Sequence, residues 1–269
     1  MKQGRDNIVL AYSGSLATSA AIRWISEQCA ADVVTLTLDL GGGGEMQEIH
    51  ERALAIGAVR AHVIDVREEF ADGYLLPALQ AGALRAGGDT LGVLARPLVA
   101  RKLMEIAGIE RATAVAHGAA ADSGLDALIH AIAPDVRVIG RSEGPAPSGV
   151  ADYAQRWNIV VPTVAARKAA STAADNGADV EMTFDRDVPV AINGVPMSLT
   201  ELIESLTVIA TQHGITGADD FAGAPAIEVL RAAFDARVRE ETTCVVRLRL
   251  QHGVTTAAVP SSEFAAPRS

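Results

Sequence analysis

Ser13, Gly14, Thr18 and Ser19 lie close together near the start of the chain, and their types and spacing suit the binding of a phosphate. Hydroxyls donate to phosphate oxygens, and a glycine lets backbone come close to a ligand. The surrounding residues say how such a group is positioned. An apolar run beginning at Ile8 is broken by Ser13-Gly14-Ser15, after which Ile22, Trp24 and Ile25 open an amphipathic pattern. The chain therefore reads as strand, tight turn, helix. Such a turn aims backbone N–H groups and a helix N-terminus at one point, where unpaired donors and the helix dipole favour an anion. The alternative is structural, since a strand–turn–helix start calls for Gly and Ser in its own right.

The elements around this turn alternate. Asp32 to Leu40 is a near-continuous apolar and β-branched run, as in a strand covered on both faces, and it ends in four glycines, Gly41 to Gly44. That cluster is either a plain turn or the backbone edge where an open α/β sheet binds its ligand. Glu45 to Gly57 reads as a helix with Gly57 as its cap, and Ala61 to Asp65 as a third strand. Thr113 to Ala119 is a buried strand running into a loop with His117, and Asp135 to Ile139 is another strand. Ser148 to Trp157 is a helix that closes the first domain near Pro162. Strands alternating with helices predict an α/β fold with a doubly wound parallel sheet. A smaller α+β second domain is expected over 163–269, after a first domain over 1–162. It opens with an Ala/Ser/Thr/Asn-rich linker to Asp179. Antiparallel strands at Val180–Phe184 and Val188–Ile192 follow, with a turn at Asn193-Gly194. Ser198 and Glu201 have the spacing of a capping box for a helix reaching His213.

Composition excludes several functions. A net charge of −10 with no Lys/Arg block disfavours nucleic-acid and anionic-membrane partners, and an aromatic content of 4% argues against base-stacking platforms. Cys29 and Cys244 have no metal-ligand spacing and read as reduced packing residues. The N-terminus enters the first strand without an apolar signal segment, so a cytoplasmic protein is expected.

The segment Ala11-Tyr-Ser-Gly-Ser-Leu-Ala-Thr-Ser19 resembles the ATP-pyrophosphatase loop of the argininosuccinate synthase family, AYSGGLDTS. The likeness continues in the same order along most of the chain. Asp39-Leu-Gly41 matches part of TADLGQGEE, and Arg67 to Leu79 is similar to REEFVEDYVFPAL. Leu94 to Leu103 resembles LARPLIAKKL, His117-Gly118 matches AVAHG, and the 184–194 stretch is similar to FEKGVPVAING. The resemblance implies an adenine nucleotide alpha hydrolase-like fold and ATP with Mg2+ as cofactor. It assigns Ala11, Tyr12, Ser13, Gly14, Thr18, Ser19, Leu38, Asp39, His117 and Gly118 to the nucleotide. Asp89, Arg96, Asp122 and Ser123 are what this chain offers toward a small-molecule substrate. His117 is either a donor to phosphate or a hydrogen-bonded structural histidine.

The departures fall on function. Ser15 stands where the family's second loop glycine belongs, and Ala17 where its aspartate belongs. Ala120 replaces a threonine, Gly124 and Leu125 an asparagine–aspartate pair, and Leu128 an arginine, all of which meet aspartate or citrulline in the family. Leucine cannot supply the charge-assisted bonds of a guanidinium. The tyrosine of YPLGT and the serine-bearing SIDENLWGRS loop have no counterpart. The expectation is a diverged ATP-dependent, AMP-forming C–N ligase acting on a substrate other than citrulline. The alternative is a catalytically inactive pseudoenzyme serving as a binding or partner subunit. Without the family's long C-terminal helix, a dimer or monomer is expected.

Overall fold

The structure is a computed structural model and describes residues 5–41, 46–84, 90–140, 149–161, 177–215, 223–237 and 242–258. They form two compact units, one of 1–40, 44–66 and 92–163, the other of 41–43, 67–91 and 164–269.

The first unit is built on five parallel strands: β1 (Asn7–Ala11), β2 (Asp32–Asp39), β3 (Arg60–Asp65), β4 (Ala114–His117) and β5 (Arg137–Ile139). Their order is β3-β2-β1-β4-β5, and all neighbours run parallel. Alternation along β1 explains the layers. Ile8, Leu10 and Tyr12 join a core with Ile22 and Ile25 of α1 (Leu16–Gln28) and Ile49 and Ala53 of α2 (Met46–Ile56). Val9 points the other way, into a core with Leu103 of α5 (Thr90–Ile109) and Ile129 of α6 (Leu125–Ile132). Helices thus cover both faces, as the doubly wound expectation requires. Chain order reverses at β1, so the crevice between the ends of β1 and β4 is the switch point where such sheets bind ligands. α7 (Val150–Arg156) packs on the α1 face, where the Tyr153 hydroxyl donates to Glu27 at 2.6 Å. Burial and the Glu27 carboxylate push the Tyr153 hydroxyl up to about 12.

The second unit holds an antiparallel sheet of order β10-β9-β6-β7-β8. Its strands are β6 (Ala178–Asp185), β7 (Val188–Ile192), β8 (Val195–Pro196), β9 (Thr243–Gln251) and β10 (Val254–Ala258). α8 (Leu199–Gln212) carries the Ser198–Glu201 capping box, and α9 (Ala224–Ala236) packs beside it. The helical run α3 (Arg67–Phe70), π turn Ala71–Leu75 and α4 (Leu76–Gln80) belongs to this unit. The sequence places that stretch in the first domain. Arg67 instead pairs with Glu204 at 2.6 Å, and Gln80 donates to the Asp187 carbonyl at 3.2 Å. The expected linker is also shorter at its far end, since β6 already begins at Ala178. No described helix is long and apolar enough to cross a membrane.

One ion-pair cluster gives the first unit a pH signature. Glu110, at the end of α5, faces His62 at 2.7 Å and also pairs with Arg60 on β3. Burial raises its carboxyl, but the bonds from His62 and Arg60 outweigh that and hold it below the ordinary glutamate value of 4.5. A depressed carboxyl stabilises the fold above its unfolded value, and the contribution fades as pH falls through the lower folded value. Glu110→Gln is therefore expected to be less stable than the parent near neutrality and to lose less stability between about pH 5 and about pH 3. Urea titrations of both proteins at the two pH values check this.

Candidate functional site

Gly14 has a φ of 74°, the left-handed conformation that glycine takes without a Cβ clash. A Cβ there would also lie 3.2 Å from Ile49. Position 15 needs no glycine, because Ser15 has φ −70° and ψ 161°, an extended conformation open to any residue. Ser15 is instead the N-cap of α1, and its hydroxyl accepts from the Thr18 N–H at 3.3 Å. Its consequence is chemical and not steric: an oxygen of the chain takes up a donor that an incoming anion would otherwise use. Ser13, Ser15 and Thr18 hydroxyls form a triangle with sides of 3.1, 3.1 and 3.2 Å.

Beneath the loop, Ser19 is fully buried and shares a 2.9 Å hydrogen bond with the Tyr12 hydroxyl. Burial raises the Tyr12 hydroxyl pKa, partly countered by Ser19 and by the nearby Arg52 guanidinium. Both residues therefore brace the loop from inside. The Tyr12 N–H donates to the Leu36 carbonyl at 2.8 Å, and the Tyr12 carbonyl accepts from the Thr37 hydroxyl at 3.0 Å. Ala11 is in register with both Leu36 and His117, which brings the ends of β1, β2 and β4 to one edge. Leu38 and Asp39 are half-buried at the end of β2, beside Gly41. Gly42 to Gly44 lie outside the described residues.

His117 is buried, and both its ring nitrogens are engaged. Nδ1 accepts from the Ala119 N–H at 3.3 Å, so the proton sits on Nε2 and is donated to the Asp126 carboxylate. Held in this way the ring has no proton left for a phosphate, and the geometry is that of a structural histidine. Gly118 does something else: a Cβ on it would lie 2.9 Å from Thr18 Cγ2. Only glycine lets the end of β4 come this close to the first turn of α1.

Of the residues expected on the substrate side, Arg96 on α5 donates to the Ser123 carbonyl at 2.8 Å, which brings these two together. Asp122 is exposed in the same short turn, Ala121–Ser123. Asp89 lies outside the described residues. Two charged residues near the β1–α1 loop are absent from the sequence-based set. Arg52 is mostly buried; its Nη1 donates to the Gly14 carbonyl at 3.4 Å, and Nη2 is 3.9 Å from Glu48. Asp126, the partner of His117, is the other. Among the described residues no group of three or more His, Cys, Asp or Glu side chains is placed to hold a metal ion.

Residues 7–157 match the family described as arginosuccinate synthase N-terminal HUP domain. The chain belongs to the argininosuccinate synthase family. Curated members resemble it well beyond that domain. The argininosuccinate synthase of Dehalococcoides mccartyi (strain BAV1) is 33% identical over 78% of this chain and 62% of its own length. That of Geobacillus sp. (strain WCH70) is 38% identical over 77% and 61%, and that of Lactiplantibacillus plantarum 35% identical over 80% and 62%. The chain spans about 62% of the length of the relatives it matches. Among solved structures, the NH3-dependent NAD synthetase of Campylobacter jejuni aligns with a TM-score of 0.39 at 14% identity, covering 59% of this chain and 66% of that one. The U34-tRNA thiolase NcsA of Methanococcus maripaludis aligns at 0.41 and 12% identity, covering 60% of each chain.

Proposed function

We propose that this member of the argininosuccinate synthase family binds the phosphates of ATP at the β1–α1 loop and uses the nucleotide in an AMP-forming C–N ligation on a substrate other than citrulline. The observation that carries this is the left-handed Gly14 leading into the N-terminus of α1, with the Ser13 and Thr18 hydroxyls 3.2 Å apart beside it. Oriented backbone donors and the Ser13 and Thr18 hydroxyls suit a polyphosphate. Magnesium fits as a passenger on the nucleotide: it keeps most of its ligands as water and phosphate oxygen, so it needs no all-protein cage here. ATP would supply the adenylyl group that activates an oxygen of the substrate and leaves as AMP when an amine attacks. The chain's own contribution is to hold and orient the phosphates.

The second reading, a nucleotide-binding or partner protein without turnover, is favoured by the Ser15 cap on Thr18 N and by the apolar Ala17. Both weaken an anion site. A lost charge-assisted contact costs roughly 1.5–3 kcal/mol, enough to move a micromolar site toward the millimolar range. Ser15→Gly with Ala17→Asp is therefore expected to tighten ATP·Mg binding at least tenfold by calorimetry. A folded double variant that binds no better than the parent removes the ATP-using reading. Where binding is found, pyrophosphate release in the presence of candidate acids and amines separates ligase from non-catalytic binder.

A further inference from the structure

Beside the nucleotide loop, at the β1/β4 switch point, the first unit has a cavity of about 40 Å³. Its floor is Leu10, Ala116 and Ile139 of three adjacent strands, and one wall is Ala17, Ala21 and Trp24 of α1. Val150, the first residue of α7, also borders it, while Gly118 and Gly140 follow the C-terminal ends of β4 and β5. Among the described residues the lining holds a single titratable group, His117, and both its nitrogens are already bonded. No described residue of the lining offers a charge to a polar group. Tyr153 bonded to Glu27, and Arg23 stacked 5.3 Å from the Trp157 ring, tie α7 to α1 and fix the wall.

The geometry points to this cavity as a specificity pocket that seats a short alkyl group of about three or four carbons on the substrate. The size follows from the volume, since a water-sized group needs roughly 10–15 Å³ by this measure. The class follows from the lining, whose side chains are apolar apart from the His117 ring and the Trp24 indole, so a charged or strongly hydrated group that must shed water to enter finds little to replace it. The place follows from the fold: Ala17 belongs to the same first turn of α1 as Thr18, so a group in the cavity lies next to phosphates held at the loop. An unfilled hole in a core would do no more than lower stability. This one instead borders the loop where the sheet binds ligands.

The inference rests on the ATP-using function for the identity of the ligand as a substrate, but the pocket itself is testable without nucleotide. The full chain carrying Trp157→Phe, which keeps an aromatic ring for Arg23 to stack on and leaves the Tyr153–Glu27 bond in place, has Trp24 as its sole tryptophan, on the cavity wall. Titration with isobutanol is expected to change Trp24 emission saturably in the millimolar range and to give nuclear Overhauser contacts between its methyls and the Trp24 ring. Glycerol, of similar size but polar, is expected to give neither. Ala17→Leu fills the space and Ala17→Asp sets a carboxylate in the wall; each is expected to weaken the isobutanol response at least tenfold. Aspartate suits the first turn of a helix, so the second variant guards against a loss of folding in the first. An equal response to glycerol, no contact to Trp24, or a response unchanged in both variants overturns the proposal. Isobutanol binding without ATP binding upholds the pocket and removes the ligase, and ATP binding without isobutanol binding does the reverse.

Discussion

Gly118→Val is expected to lower the melting temperature by roughly 3–10 °C and to weaken ATP·Mg binding by tenfold or more. The cause is one contact. A Cβ on Gly118 would sit 2.9 Å from Thr18 Cγ2, closer than such atoms approach, and valine adds two methyls beyond it. Thr18 is 5% exposed and sits on the first turn of α1, so it cannot swing into solvent. The strain therefore passes into the hydroxyl triangle and the α1 N-terminus, the elements proposed to hold phosphate. Overpacking a filled interior costs about 1–3 kcal/mol, and both readouts move together because one side chain serves both. Gly108→Ala is the matched control: it lies in α5, has nothing within 4 Å of its added Cβ, and is expected to be neutral or slightly stabilising. Gly118→Val protein that melts and binds ATP like the parent would show that Thr18 has no part in the site.

The contrast between Gly118 and Arg52 shows what could be seen in the sequence. The loop glycines and hydroxyls were legible because they act through local backbone: a strand, a turn and a helix start leave a signature within a dozen residues of one another. The capping box at Ser198 and Glu201 and the cap at Gly57 were legible for the same reason. Arg52 was not, because it reaches Gly14 from a different helix across 38 positions of sequence, and its charge pattern with Glu48 reads as an ordinary exposed helix face. Asp126 was hidden by register, lying one residue beyond the pair that the family likeness singles out. The stretch Arg67–Leu91 shows the same limit at a larger scale. Its apolar spacing says that Phe70, Leu75 and Leu79 are buried, but not against which unit. α9 was not read from the sequence, because the family likeness fades from Thr216 to Ala236, although the spacing of Ala226, Leu230, Ala233 and Phe234 and a proline in its first turn carry a helix signal.

Citrulline and aspartate together are expected to give no argininosuccinate with ATP, at a turnover below about 0.001 per second against the roughly 1–10 per second of ordinary enzymes. The substituted positions lie where they cannot meet a substrate's charges. Leu125 is 3% exposed in the core beneath β1, β2 and β4, and Leu128 packs against the same cluster. Gly124, with a φ of 77°, serves as the turn into α6. Where the family likeness calls for an asparagine, an aspartate and an arginine, this chain has a turn glycine and two packing residues. Arg96, a remaining cation on that side, donates to the Ser123 carbonyl. Leu128→Arg is for that reason expected not to restore activity and to lower stability, since a guanidinium replacing a packed leucine must either stay buried without a carboxylate partner or leave a hole. Product analysis by chromatography with all three substrates checks the parent, and thermal melts check the variant. Argininosuccinate formed at about 1 per second would mean that other residues bind citrulline, and that the ligase has kept the family's substrate despite losing these contacts.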